Sequence, residues 1–340
     1  MGAVPVALLP GDGIGPEIVE ATTAVLDAAG AEVEWLPVVA GARVFEETGE
    51  ALPAETVETA RAAGVVLKGP MGTPRQGYRS PNQRLRDAMG TFANVRLARS
   101  FPHPATQFPG VDLTLIRDVT EDFTQGTAQR LAGPVGAELA GVALRVTTRP
   151  AVDRLARFAY DWARARGKHR VAIGHLATSQ RATDGLFVET ALAAAADGFT
   201  DLDVTDEAMD PLCTHLMQHP GRYDVLLTGH LYGGILCGVL AGLIGTVGLL
   251  AGAAFGTAGA IFEAGHGNVP KYAGLDRANP AACILSGAIM LDHLGQTEAA
   301  KRVRVAVERT IAEGRHTTPD LGGTGGTRSF ARRCRDLAAG

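Results

Sequence analysis

The chain has 340 residues, enough for two ordinary domains and a sizeable core. Hydrophobic residues make up 46% and charged residues 20%, which excludes a disordered chain, and a net charge of −4 leaves no basic footprint for nucleic acid. Cys213, Cys237, Cys283 and Cys334 are scattered without C-x-x-C spacing, which argues against a zinc site or disulfide framework and predicts a reducing, cytoplasmic setting.

Strand-like and helix-like runs alternate from the start. Residues 4–9 read as a strand, 17–29 as a helix, 33–38 as a strand, 55–62 as a helix and 64–68 as a buried strand. No charged leader precedes the first strand. The alternation returns at 170–175, 183–196, 201–205 and 223–227, the signature of an α/β protein. Residues 281–293 and 299–313 carry apolar side chains at helical spacing, while 111–117 and 141–148 are expected as strands pairing away from the parallel sheet. The most apolar stretch, 231–262, contains nine glycines and reads as a buried helix, loop and strand, not as a membrane span.

The run GDGIGPE at 11–17 follows the first strand and opens a helix. By itself it is either an anion-binding helix N-terminus or a tight turn, and it lacks the G-x-G-x-x-G spacing of a Rossmann site. Further runs follow: KGPMGTP at 68–74, RSPN at 79–82, LR at 85–86, NVR at 94–96 and LIRDVTE at 115–121. After them come HGNVPKYAG at 266–274, NP at 279–280, and DLGG at 320–323 with Thr327. In this order the runs resemble the substrate and adenosine segments of the isocitrate/3-isopropylmalate dehydrogenase family, of isocitrate type, over nearly the whole chain.

The resemblance implies an α/β fold of two domains with a cleft between them. The large one (1–100 plus 251–340, the nucleotide side) comes from both chain ends, and the smaller (101–250, with dimer-forming segments) from the middle. It also implies a homodimer, with no nucleic acid or membrane partner. In active relatives the cleft holds a 2-hydroxy acid, a nicotinamide cofactor and Mg²⁺ or Mn²⁺. Arg86, Arg96 and Arg117 match the arginines that grip substrate carboxylates, work suited to the fixed donor fork of guanidinium. Ser80 and Asn82 match contacts to the distal carboxylate. Thr73, His266, Gly267, Lys271, Tyr272 and Asn279 match cofactor positions. The Lys271–Tyr272 pair resembles the NADP-preferring pattern, where an Asp-Ile pair would mark NAD, although Pro319 and Gly323 replace a Tyr and an Arg of that pattern.

The catalytic positions depart from the family. Its acid–base Tyr belongs seven residues after Arg117, where Thr124 stands, and its Lys belongs after His175, where Leu176 stands. Of three metal-binding Asp, one aligns with Asp210 and the others fall on Gly234 and Gly238. A hard dication needs several oxygen ligands. The expectation is therefore no Mg²⁺ or Mn²⁺ and no isocitrate or isopropylmalate oxidation. His230, one turn before Gly234, is a candidate replacement catalytic group. Two functions remain. One is a repurposed, metal-independent enzyme for a less polar carboxylate substrate, with NADP(H). The other is a non-catalytic regulatory paralogue in a hetero-oligomer with an active dehydrogenase.

Overall fold

A computed structural model describes residues 2–74, 79–102, 108–123, 127–133 and 138–340. The chain divides into two compact units: Met1–Thr91, Val95–Asp112 and Leu240–Gly340 form one, and Phe92–Asn94 with Leu113–Val239 form the other.

The first unit begins with β1 (Val4–Leu9), α1 (Gly15–Ala28), β2 (Val33–Pro37), α2 (Ala42–Thr48), α3 (Ala54–Ala63), β3 (Val65–Lys68), α4 (Pro81–Ala88) and β4 (Thr91–Arg99), of which Phe92–Asn94 belong to the other unit. The second carries β5 (Asp112–Asp118), β6 (Ala128–Ala132), β7 (Glu138–Ala143), α5 (Arg149–Arg164), β8 (Arg170–His175), α6 (Leu186–Ala196), β9 (Asp203–Ala208), α7 (Met209–Gln218), β10 (Val225–Thr228) and most of α8 (His230–Leu243). The chain then completes the first unit with β11 (Ala251–Gly256), β12 (Ala260–Glu263), α9 (Ala281–His293), α10 (Thr297–Glu313) and α11 (Thr327–Ala338).

Strand order in the first unit is β2-β1-β3-β12-β11-β4. The β1–β2, β1–β3 and β3–β12 pairs are parallel and the β11–β12 hairpin is antiparallel. β3 and β12 are buried along their whole length, which explains their uninterrupted apolar runs. In the second unit the order is β4-β5-β10-β8-β9, with β5, β10, β8 and β9 parallel. The expectation that 111–117 pairs away from the parallel sheet is wrong. β5 pairs in parallel with β10, and Leu113, Thr114, Leu115 and Ile116 are buried on both faces of the sheet. Of residues 141–148, 141–143 lie in β7, which starts at Glu138 and pairs with β6 in a separate two-stranded ribbon whose partner strand was unforeseen.

The stretch 231–262 resolves into α8, β11 and β12, and no helix among the described residues is long and apolar enough to cross a membrane. The glycine-rich run at 11–17 is a tight turn. A β-carbon on Gly13 would stand 1.9 Å from the Asn268 carbonyl oxygen, and the Ile14 amide donates to that same oxygen at 2.9 Å. Asp12 turns inward and accepts the amides of Ala42, Arg43 and Gly72 at 2.8, 3.1 and 2.7 Å, so it caps α2 and ties down the 68–74 run.

Candidate active site

In the first unit, β3 and β12 end side by side, with Lys68 and Glu263 in register. Burying two charges is tolerable only where they pair. Here the Lys68 ammonium meets one Glu263 oxygen at 2.6 Å, and Arg86 from α4 and Arg96 from β4 meet the other at 2.6 and 3.1 Å. Arg96 also donates to the Glu263 carbonyl at 3.2 Å and lies against Gly252, where a β-carbon would collide with its guanidinium. Burial raises the Glu263 pKa, but Lys68, Arg86 and Arg96 together outweigh it and hold the carboxyl well below its ordinary range. Burial lowers the Lys68 pKa, and the two guanidiniums add to this against the pull of Glu263. Three cations around one carboxylate leave an excess positive charge, which suits an incoming anion. Glu263 was missed from sequence; its signal is a lone charge closing an apolar strand.

Beside this cluster's sequence run, Asn82 donates to the Met71 carbonyl at 3.2 Å, and the Thr73 hydroxyl reaches Ser80 Oγ at 3.4 Å. Both contacts tie the 68–74 run to α4 and the loop before it.

Arg117 belongs to the second unit, at the end of β5, and its guanidinium sits on α8. Nε reaches Asn94 Oδ1 at 3.3 Å and Nη1 reaches the His230 carbonyl at 3.4 Å. Glycine at 233 permits this, since a β-carbon there would lie 2.5 Å from the Arg117 side chain. His230 opens α8 half-buried, its Nδ1 3.1 Å from the Asp118 carbonyl. Burial first, and Arg117 second, lower its pKa.

Asp122, held at φ 67°, accepts the Leu231 amide at 2.9 Å and the Arg145 Nε at 2.8 Å. Arg145 also pairs with Asp184 and reaches the Tyr232 hydroxyl at 3.1 Å, and that hydroxyl donates to Asp184 at 3.0 Å. This closed polar network, with Arg145 and Asp184, was not foreseen. Leu176 uses its backbone amide to reach Asp184 at 2.7 Å. Its neighbour His175 is buried, accepting the Ala177 amide at Nδ1 and donating from Nε2 to Asp206, both at 3.0 Å. Thr124 lies outside the described residues.

Of the three candidate metal positions, one carries an oxygen donor. Asp210 is exposed at the start of α7, Gly234 and Gly238 offer no side chain, and a β-carbon on Gly238 would meet nothing within 4 Å. Among the described residues no three His, Cys, Asp or Glu side chains are placed to hold an ion. The donor set does not fit a hard dication.

A cavity of about 360 Å³ in the first unit is lined by Ile14, His266, Tyr272, Arg277, Asn279 and Asp320 among others. Asn279 is buried and donates to Asp320 at 2.9 Å while accepting the Ala281 amide at 3.0 Å. The His266 Nδ1 lies 3.1 Å from the Gly267 carbonyl, its Nε2 is buried with no partner, and burial lowers its pKa. Exposed Gly267 leaves the loop surface bare. The Lys271 ammonium and the Arg277 guanidinium sit 4.9 and 5.8 Å from the Tyr272 ring centre, a cationic and aromatic rim that would suit a phosphorylated ribose. Sequence reasoning found Lys271 and Tyr272 but not Arg277. The orphaned His266 nitrogen and the cavity size fit an adenosine half of a dinucleotide.

The sequence matches the family model for isocitrate/isopropylmalate dehydrogenase over residues 5–334. It is 38% identical over 327 residues to isocitrate dehydrogenase [NAD] catalytic subunit 5, mitochondrial, of Arabidopsis thaliana, covering 96% of this chain and 86% of that one. It is 37% identical over 332 residues to the 3-isopropylmalate dehydrogenase of Archaeoglobus fulgidus, covering 98% of each. Among solved structures, the isocitrate dehydrogenase from Methylococcus capsulatus superposes with a TM-score of 0.95 at 38% identity, over 100% of both chains.

Proposed function

The chain belongs to the isocitrate/isopropylmalate dehydrogenase family, and from that premise we propose that it is a remodelled member that no longer performs metal-dependent oxidative decarboxylation. It acts without Mg²⁺ or Mn²⁺ on a carboxylate-bearing substrate with a less polar body, using NADP(H). The observation that carries this is Gly234. A family metal carboxylate is expected there, and the chain instead presents bare backbone beside the Arg117 guanidinium. Gly238, Leu176 and Thr124 change in the same direction, from charged or acidic groups to small or neutral ones.

Calorimetric titration with NADPH, NADP⁺, NADH and NAD⁺, each with and without Mg²⁺ and isocitrate, tests the reading. Tight NADPH binding indifferent to Mg²⁺ is expected. Binding of isocitrate that strengthens with Mg²⁺, or turnover of isocitrate to a decarboxylated product, would refute it.

A partner surface favours a dimer. Leu139 and Leu144 on and after β7 are 69% and 57% exposed, and Leu231 and Ile235 on α8 are 43% and 56% exposed. A two-stranded ribbon is marginal alone and gains stability from a covering layer. We assign that cover to a second copy of this chain. The competing reading, a regulatory paralogue joined to an active dehydrogenase, predicts a monomer that captures such an enzyme. Light scattering on the purified chain separates the two. All four cysteines are unpaired, which supports a reducing compartment.

A further inference from the structure

A second cavity in the first unit, of about 290 Å³, shares no lining residue with the one that holds His266 and Asn279. Its walls are apolar. Leu97 and Phe101 come from β4 and the residues just after it, Leu249 and Ala251 from the start of β11, and Leu285 and Ile289 stand one turn apart on α9. The volume lies near the lower end of small-molecule sites, roughly 300–1,000 Å³, so the space admits a short chain or a single ring.

Three charged side chains complete the lining: Arg99, Arg304 and Asp112. Arg304 is tied to the Asp292 carboxylate and to the Ala288 carbonyl at 3.3 Å. Arg99 is held more loosely. Its Nη2 meets Glu308 at 3.2 Å with both side chains about half exposed, a kind of pair that contributes little stability, so an incoming carboxylate can replace Glu308 at modest cost. The Arg99 guanidinium lies 5.6 Å from the Phe101 ring centre, which sets its donor fork beside the apolar wall. Asp112, together with the Asp292 and Glu308 partners of the two arginines, disfavours a polyanion. The chemistry that fits is a single carboxylate on an apolar body.

The two cavities share a wall. Thr246, Val247 and Gly248 line the first, while Leu249 and Ala251 line the second, and residues 247–249 form one 3-10 turn. On the first side the Thr246 hydroxyl accepts the Gly248 amide at 3.1 Å and donates to Asp320 at 2.8 Å, the carboxylate that also holds Asn279. On the second side the same turn presents buried Leu249.

We propose that the second cavity is an effector site for an apolar monocarboxylate, its head on Arg99 and its body against Leu285 and Ile289, coupled to the first cavity through the 247–249 turn. The binding site stands on its own lining. The coupling rests on the reading of the first cavity as the NADP(H) site.

The test is calorimetry on the full-length protein with octanoate, octanol and octylammonium at submicellar concentration, and acetate as a control for the head group. Octanoate should bind tightest, and acetate should not bind. Arg99→Leu, at an exposed position, should weaken octanoate about tenfold or more, the scale of a lost charged hydrogen bond, and leave octanol within a few-fold. Leu285→Trp fills the cavity and should abolish both; if it does not fold, Arg99→Leu and the octanoate-to-octanol ratio decide alone. Saturating octanoate should change NADPH affinity about fivefold or more, and NADPH should change octanoate affinity by the same factor. Equal binding of the three eight-carbon probes, tighter octylammonium, or octanoate binding indifferent to Arg99→Leu overturns the site. Octanoate and NADPH that both bind without affecting each other overturn the effector role. If octanoate binds as expected and no NADPH binding occurs with or without it, the NADP(H) reading fails and the coupling with it, while the carboxylate site stands.

Discussion

The Arg117 Nη1 lies 3.1 Å from the point where a β-carbon on Gly234 would stand. That spacing is tight but tolerable for a flexible guanidinium, so Gly234→Asp should fold and place its carboxylate directly against Arg117. The new ion pair would occupy the anion site proposed at Arg117. Carboxylate affinity, measured by isocitrate calorimetry, should fall about tenfold or more, in line with the ~1.5–3 kcal/mol of a charged hydrogen bond. Mg²⁺ affinity should not appear, because Asp210 is exposed and Gly238 adds no ligand. Recovery of Mg²⁺ binding by this one substitution would show that the metal site is nearly intact.

One residue earlier the same side chain sets a stricter limit. A β-carbon on Gly233 would stand 2.5 Å from both Cβ and Cδ of Arg117, which are not free to move as its tip is. Gly233→Ala should therefore cost about 1–3 kcal/mol of stability, the range for overpacking, and should displace Arg117. Denaturant titration and isocitrate calorimetry would record the two effects together. An unchanged midpoint would mean that Arg117 does not lie on α8 in solution.

Among the described residues, Glu263 is the carboxylate paired with Lys68, Arg86 and Arg96. Glu263→Gln leaves buried cations without their partner and should cost about 3–5 kcal/mol, read from the denaturant midpoint at neutral pH. The sign of the pH effect follows from the depressed folded-state pKa. Stability from this group is fully present above the ordinary carboxylate value of about 4.3 and is lost as pH falls through the lower folded value. Wild type should lose this contribution only in strong acid, and the Gln variant should lack that component of acid sensitivity.

These relationships mark where the sequence was legible and where it was not. Residues 4–9, 170–175 and 281–293 match β1, β8 and α9 to the residue, because each is an apolar run ended by turn or cap chemistry that acts locally. Sheet partnership acts at a distance. β5 looked like a strand but not like a neighbour of β10, since nothing in an isolated run says which edge it joins. The Lys68–Glu263 pair spans 195 positions, and Arg145 meets Asp184 through the fold and not through spacing. Gly234 and Gly238 stood out only because the surrounding family-like motif fixed the register in which carboxylates were expected there.

Val269 stands at φ 35° in the loop that lines the cavity, a left-handed conformation that a β-branched residue rarely adopts. Such strain costs roughly 1–3 kcal/mol, and glycine would relieve it while adding about 0.5–1 kcal/mol of unfolded-state entropy. Val269→Gly should thus leave the protein as stable or more so, by up to ~2 kcal/mol on this balance. It should also weaken NADPH binding through loss of the preset loop. Thermal melting and calorimetry check both, and a clear drop in melting temperature would mean that packing by the Val269 side chain outweighs its backbone strain.

The proposed NADP(H) preference rests on the rim of the same cavity. Tyr272 and Arg277 line the space, and Lys271 lies over the Tyr272 ring beside them. The carboxylate opposite, Asp320, is already engaged by Asn279, Thr246 and Thr318 at 2.9, 2.8 and 2.6 Å, which limits its repulsion of a phosphate. Lys271→Asp with Tyr272→Ile replaces attraction for a 2′-phosphate by repulsion, and Asp suits an unphosphorylated ribose. NADPH affinity should fall about a hundredfold, consistent with loss of ~1.5–3 kcal/mol from a charged contact and the added like charge, while NADH affinity holds or improves. Arg277→Ala alone should weaken NADPH about tenfold on the same scale. If wild type binds NADPH no more tightly than NADH, the rim does not read the 2′-phosphate, and Lys271, Tyr272 and Arg277 are surface residues.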